Sequence, residues 1–285
     1  MNTKPVIAIL TDFGTEDPFV GIMKGVIATI APQASVIDLS QDIPPGDILR
    51  AGIALWQARN FFPASTAFLC VIDPGVGTSR RGVIVQSGGQ SFIGPDNGLF
   101  TFILSDQSQA WELSNPDFAL PDPGTTFHGR DIFAPAAAYA ALGKPGPAFG
   151  PAVLDPVQLR RPVLEFQTDG SVRGEILYAD HFGNLLTSIG RFRRLEGARV
   201  QFTPWLPDGI TPHGTPVASE WSLDAMKIIL PDETSLPWVN TFAELTGNEC
   251  AFLLGSSGLL EIVANQKSAA ALLDLHAGQT IILQK

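Results

Sequence analysis

Asp73 and Arg80 share the run VIDPGVGTSRRG (71–82), and His128 stands in FHGRDIFAP (127–135). A carboxylate, a guanidinium and an imidazole, each beside Gly or Pro at the end of an apolar stretch, could orient a small nucleophile, take its proton and balance the resulting charge. Asp-Pro-Gly-Val-Gly leaves little side chain around the carboxylate, so a ligand can approach it closely. Arg80 and Arg81 downstream supply countercharge that would keep Asp73 ionised. Each run also has an ordinary reading. The first could be a tight surface loop with solvated arginines, and His128 one more satisfied histidine, the commoner fate of that residue.

Other runs carry further chemistry. In TDFGTED (11–17), Asp12 follows an apolar strand and suits a carboxylate that accepts from vicinal hydroxyls, as acidic residues do for a ribose. Asp17, followed by Pro18 and a helical run, reads as that helix's N-cap. Asp12, Asp17, Asp73 and His128 could instead gather round a metal, the reading of a metal-dependent hydrolase. In YADHFGN (178–184), Asp180 could pair with an ammonium, Phe182 stack on a base and Asn184 hydrogen-bond the base's edge, against the alternative of a plain hairpin turn. Ser256-Ser257-Gly258 reads as a turn or as a carboxylate site made of hydroxyls and backbone N–H groups. Arg130 and Asp131 read as a local ion pair that positions its loop, and His213 and His276 as loop residues. The sequence holds no P-loop, G-x-G-x-x-G, G-x-S-x-G elbow or C-x-x-C pair.

The elements that must position these residues follow from periodicity. Residues 5–11, 35–40 and 66–73 read as buried strands, with GVIVQ and SFIG as two more, while 18–31 and 48–62 have helical spacing. Alternating strands and helices predict a largely parallel sheet covered on both faces, with Asp12 and Asp73 at the carboxyl ends of strands, where such sheets bind ligands. After about residue 145 the pattern changes. Pro-rich stretches give way to short runs (VRGEILYAD, ARVQF, MKIIL, CAFLLGS, LLEIVAN, TIILQ) that predict a small antiparallel barrel or sandwich, with one short helix near KSAAALLDL.

Composition bounds the partners. The chain has 285 residues, long enough for two domains, and a net charge of −10. Its 18 basic residues are scattered apart from Arg160-Arg161 and Arg191 to Arg194, which argues against nucleic acid. At 45% hydrophobic and 16% charged, the chain has either a large core or apolar surface that other subunits cover. Cys70 and Cys250 lie in apolar runs and read as buried thiols without disulfide or metal partners. The first apolar run is too short for a signal peptide and no segment approaches a membrane span, so a soluble, cytoplasmic protein is expected.

Taken in order, TDFG with VGIMKG, IDPGVGTSRR, IGPDNG, FHGRDIFAP, DHFGN and SSGLLEIVANQ resemble the S-adenosyl-L-methionine hydrolases (adenosine-forming), also described as hydroxide adenosyltransferases and homologous to fluorinase and chlorinase. The resemblance implies a Rossmann-like α/β domain (about 1–165), a smaller C-terminal β-barrel domain (about 172–285), and a homotrimer with its site at a subunit interface. It implies hydrolysis of S-adenosyl-L-methionine to adenosine and L-methionine by attack of water at C5′, with no cofactor. It places the catalytic set on Asp73, Arg80 and His128, of which the halogenating relatives lack the Asp and Arg. By the same resemblance Asp12 would hold the ribose hydroxyls, Phe127 and Phe182 line the nucleoside, Asn184 meet the adenine, Asp180 take the methionine ammonium, and Ser256 with Ser257 lie near its carboxylate. A non-catalytic sensor that binds S-adenosylmethionine or adenosine is the alternative outside enzymes. Residues 204–238, rich in Pro and Trp, match none of these motifs.

Overall fold

A computed structural model describes residues 4–203, 205 and 220–285. His213 and most of the Pro- and Trp-rich stretch lie outside the described residues. The chain forms two compact units, residues 1–159 and 160–285.

The first unit is built on one sheet. In chain order it comprises β1 (Val6–Thr11), α1 (Phe19–Ile30), β2 (Ser35–Ser40), α2 (Ile48–Ala58), β3 (Ala67–Val71), β4 (Gly82–Ser87), β5 (Gln90–Pro95), β6 (Gln109–Glu112) and α3 (Ala134–Ala141). The strand order is β2-β1-β3-β5-β4-β6. β2, β1, β3 and β5 are parallel, whereas β4 runs antiparallel to both β5 and β6. The antiparallel step comes from Gly88 and Gly89 (φ +60° and +80°), whose left-handed backbones make a two-residue hairpin turn with the hand that matches strand twist.

Alternation along the strands buries both faces. Ile7, Ile9, Leu69 and Val71 pack with Met23 and Ile27 of α1 and Phe133 and Ala137 on one side. Ala8, Leu10, Phe68 and Cys70 pack with Ala51 and Leu55 of α2 on the other. Strands buried on both faces read as continuous apolar runs, as β1 and β3 do. Helix α1 begins at Phe19 with Pro18 as its N-cap and no side-chain cap bond, so Asp17 does not cap it. The Pro18 carbonyl accepts from the Ile22 N–H at 2.9 Å, and Asp17 is exposed.

The second unit comprises β7 (Leu164–Phe166), β8 (Val172–Ala179), β9 (Leu185–Gly190), β10 (Phe192–Arg194), β11 (Arg199–Phe202), β12 (Glu220–Ser222), β13 (Lys227–Ile229), β14 (Ser235–Pro237), β15 (Cys250–Leu254), β16 (Leu259–Ala264), α4 (Ala269–Leu273) and β17 (Thr280–Gln284). Its main sheet runs β14-β13-β17-β8-β9-β16-β15 with antiparallel neighbours throughout, and β7 pairs with β8. Beyond β14, Trp238 bridges to Phe252 of β15, so the two ends of the sheet meet in a nearly closed barrel. β10, β11 and β12 form a separate small sheet. Cys70 is fully buried; Cys250 is half-buried, and both thiols are free.

Candidate active site

The loop after β3 folds back on itself. Val76 N–H donates to the Asp73 carbonyl at 3.2 Å and Thr78 N–H to the Gly75 carbonyl at 3.1 Å, two turns in succession. The Thr78 hydroxyl donates to the Gly75 carbonyl (2.7 Å) and accepts from Arg80 N–H (3.3 Å). Gly77 (φ +78°) must be glycine on two counts: its backbone is left-handed, and a Cβ there would sit 2.7 Å from the Thr125 carbonyl. These turns return Arg80 to Asp73, seven residues earlier.

Arg80 clasps Asp73 with two bonds, Nε to Oδ1 at 2.9 Å and Nη2 to Oδ2. The pair is buried, with 11% and 5% of the two side chains exposed. Arg80 Nη2 also lies 2.7 Å from His128 Nδ1, and the guanidinium stacks on the Phe133 ring at 5.2 Å. A guanidinium can only donate, so His128 Nδ1 accepts and Nε2 carries the ring proton. Burial, followed by the Arg80 charge, holds the His128 pKa below its ordinary value, against the opposing pull of Asp73, Asp131 and Gly124. Asp73, Arg80 and His128 therefore form one connected group with a neutral imidazole. Arg80 Nη1 makes no hydrogen bond to any described residue, which leaves two N–H donors for a ligand.

Sequence pattern could not tell Arg80 from Arg81. Arg81 turns away, binding Asp96 through Nε at 2.9 Å and Asp155 through Nη1 at 3.0 Å, a structural clasp on the 155–157 segment. His128 is set by the π-helical turn Gly129–Phe133 that opens α3. Asp131, buried in that turn, accepts from Arg130 at 2.5 Å and from Gly124 N–H at 2.9 Å, so it ties the 121–126 loop to the histidine. Burial pushes the Asp131 carboxyl up, but its bonds from Arg130 and Gly124 outweigh this and hold it below the ordinary range. Gly124 and Phe133 were not anticipated from sequence, because neither has a side chain that announces chemistry.

Elsewhere in the first unit, Asp12 lies just past the carboxyl end of β1 and its Oδ2 accepts from Gly46 N–H at 2.8 Å. Phe127 packs edge-on against Phe13 and Phe19 with Arg130 above it at 5.2 Å. Among the described residues, no group of three or more His, Cys, Asp or Glu side chains converges as metal ligands would, so Asp12, Asp17, Asp73 and His128 do not gather.

Two cavities of the second unit are lined by Phe182 and Asn184 and by Ser256 and Ser257, and Asp180 lines neither. One, of about 490 Å³, is lined by Phe182, Asn184, Phe242, Asn265, Lys267 and Ser268. Phe182 is 74% exposed and Phe242 39%, large apolar rings left open beside a cavity. Asn184 donates its Nδ2 to Asp180 Oδ2 (2.9 Å), which fixes the amide's orientation. Phe242 and Asn265 escaped sequence reasoning, Phe242 because it stands in an irregular segment with no motif. The other cavity, of about 500 Å³, is lined by Arg191, Arg193, Arg194, Thr203, Ser256 and Ser257. Asp180 anchors its own turn: Oδ1 accepts from Phe182 N–H (2.8 Å) and Asn184 N–H (2.9 Å).

Comparison with known proteins gives the family. Residues 7–150 match the SAM hydroxide adenosyltransferase N-terminal domain, and residues 174–282 match the C-terminal domain of the same name. The chain belongs to the SAM hydroxide adenosyltransferase family. It is 38% identical to an (R)-S-adenosyl-L-methionine hydrolase of Thermus thermophilus, over 97% of this chain and 98% of the relative. It is 27% identical to a fluorinase of Actinoplanes sp., over 100% of this chain and 99% of the relative. A crystal structure of an uncharacterized conserved protein from Thermotoga maritima superposes with a TM-score of 0.79 at 31% identity, covering 98% of this chain and 100% of the other.

Proposed function

We propose that this chain hydrolyses S-adenosyl-L-methionine to adenosine and L-methionine. The observation that carries the reading is the linked Asp73–Arg80–His128 group, in a family whose relatives include named S-adenosylmethionine hydrolases. The substrate is a sulfonium, and its sulfur departs as a neutral thioether. Departure therefore needs neither a proton nor a metal. The difficulty lies with water, which must be aligned behind C5′ and must lose a proton.

The chain's residues divide that task. Arg80 Nη1 and Asp73 hold the water. As the O–C5′ bond forms and the C5′–S bond breaks, Asp73 accepts the proton, and the guanidinium offsets the charge that develops on oxygen. His128 has its acceptor nitrogen committed to Arg80, so it positions the guanidinium and is not the base. Holding water in line is itself a large effect, since effective molarities of oriented reactants reach about 10⁵–10⁸ M. Asp12 would take the ribose hydroxyls and Phe127 the nucleoside. Phe182, Phe242 and Asn184 would enclose the adenine, Asp180 the methionine ammonium, and Ser256 with Ser257 the carboxylate beside Arg191 and Arg193. No cofactor is needed.

The reaction is tested by incubating the protein with S-adenosylmethionine in halide-free buffer containing a strong chelator and following adenosine by chromatography. Adenosine and methionine in equal amounts are expected. Ligand bound intact after long incubation would point to a sensor, and activity lost to the chelator would point to a metallohydrolase.

His128 gives a pH prediction. Its pKa is depressed, so the folded protein holds the ring neutral, and an acidic solution protonates the unfolded chain first. Stability from this group is present above about pH 6.5, the ordinary histidine value, and is lost as pH falls through the lower folded value. Protonation also removes the acceptor for Arg80. The rate is expected to be level above about pH 6.5 and to fall below it. A pH–rate profile with its acid limb centred above the ordinary histidine value would contradict this assignment.

The working form we propose is a cytoplasmic homotrimer whose site is completed at a subunit interface. Exposed apolar side chains support it: Phe61 is 86% and Leu154 93% exposed. Among the described residues no helix is long and apolar enough to cross a membrane. Light scattering is expected to give the mass of three chains, and a monomer at working concentration would overturn the assembly.

A further inference from the structure

The run IGPDNG (93–98) takes no part in the chemistry described above, yet the topology brings it to the catalytic loop. The chain leaves β3 at Val71 and enters β4 at Gly82, and β5 lies between those two strands in the sheet. β3 runs parallel to β5 and β4 antiparallel to it. The loop 72–81, which carries Asp73 and Arg80, therefore has to cross the carboxyl end of β5. That end is Pro95, and Asp96 and Asn97 follow it.

Each of these two side chains holds one foot of the loop. Asn97 donates its Nδ2 to the carbonyl of Ile72, the residue before Asp73, at 2.9 Å. Its Oδ1 accepts from Leu99 N–H at 3.2 Å, which fixes the amide in the orientation that aims the donor at Ile72. Asp96 takes Arg81, the residue after Arg80. Its Oδ2 accepts from Arg81 Nε at 2.9 Å and lies 2.7 Å from Nη2, and its backbone N–H donates to the Arg81 carbonyl at 2.9 Å. The other carboxylate oxygen accepts from Val157 N–H at 2.8 Å. Ile72 is fully buried and the Asp96 carboxylate is 3% exposed. The acceptors at both feet are thus shielded from competing water, where a hydrogen bond is stronger than it would be in solvent. The same contacts sort the two arginines: Asp96 occupies Arg81, and Arg80 closes on Asp73.

We propose that Asp96 and Asn97 are positioning residues for the hydrolysis. They fix the two feet of loop 72–81, and with them the placement of the Asp73 carboxylate against the Arg80 fork. The inference rests on the hydrolase reading above. In this role neither side chain touches the water or the substrate, so losing either acts on turnover through Asp73 and Arg80. A misplacement of about 1 Å at reacting groups can cost about 10²-fold in rate.

The test introduces Asn97→Ala and Asp96→Asn separately into wild type and into Asp73→Ala, and compares steady-state kinetics with S-adenosylmethionine. In wild type, Asn97→Ala is expected to lower kcat about 10- to 100-fold with KM within about twofold. Asp96→Asn keeps the shape and the acceptor for Val157 N–H while it loosens Arg81. It is expected to fold and to lower kcat about tenfold, again with KM nearly unchanged. In Asp73→Ala, where the pair to be positioned is already broken, either change is expected to cost less than about twofold more. A general weakening of the fold would instead multiply the loss in both backgrounds. Thermal melts show which variants are folded at the assay temperature, and Asp96→Asn carries the test if Asn97→Ala is not. A kcat within about twofold of wild type for the folded variants, or an equal fold-loss in both backgrounds, would overturn the positioning role while leaving the hydrolase reading in place. If wild type itself releases no adenosine, the hydrolase reading fails and takes the inference with it.

Discussion

Asp73→Ala is expected to lower kcat about 10³-fold while KM stays within a few-fold of wild type, as befits a group that acts on the attacking water more than on bound substrate. The residue accepts the proton that must leave as the O–C5′ bond forms. Its carboxylate also holds Arg80 through Nε and Nη2, so the substitution frees the guanidinium to move from the water it would stabilise. Steady-state kinetics with S-adenosylmethionine separate the two constants. Turnover within a few-fold of wild type would show that Asp73 is not the base. A rise in KM at unchanged kcat would make it a binding residue instead. Asp73→Asn sharpens the test, because it keeps the shape and the acceptor oxygen but cannot take the proton. A loss nearly as deep as that of alanine is expected.

Arg80→Ala is expected to be severe in both stability and rate. It strands a carboxylate whose side chain is only 5% exposed, and removing one partner of a buried ion pair typically costs about 3–5 kcal/mol. It also empties the ring contact over Phe133 and leaves His128 Nδ1 without its donor. Arg80→Lys isolates the chemistry from the charge. Lysine keeps one positive centre but cannot bind two carboxylate oxygens, donate to His128 Nδ1 and still present free N–H groups to water. Folding is expected to survive in the lysine variant, while kcat falls about 10²-fold or more. Thermal melts and kcat on the two variants check this. A lysine variant with near-normal kcat would mean that positive charge alone suffices and that the geometry of the fork is incidental.

How much of this was legible in the sequence depends on what each residue had to reveal. Strands β1 and β3 announced themselves as unbroken apolar runs because both of their faces are buried, and α1 and α2 by their period. Strand β4 gave no sign of its antiparallel direction. GVIVQ reads the same either way, and only the backbone angles at Gly88 and Gly89 turn it around. The Asp17-Pro18 pair met every local preference for a helix start, yet the first turn closed on the Pro18 carbonyl without the aspartate.

The site divides along the same line. Asp73 and His128 were visible because their types are unusual next to glycine at strand and helix ends. Residue types alone left Arg80 and Arg81 open and only the family resemblance chose Arg80, since the difference lies in two turns inside the loop and in Asp96 and Asp155, 15 and 74 residues downstream of Arg81, claiming the second arginine. Asp180 suggested an ammonium site from sequence, but its bonds within its own turn became apparent only in three dimensions.

In the proposed reaction a water held by Asp73 and Arg80 attacks the C5′ carbon. Hydrolysis in heavy-oxygen water, followed by mass spectrometry of the nucleoside, tests this most directly. The predicted result is adenosine carrying one heavy oxygen in its 5′-hydroxyl, formed at the rate of methionine release by wild type and nearly absent with Asp73→Ala. Adenosine whose 5′-oxygen is unlabelled, or methionine released with a different nucleoside product, would contradict the mechanism.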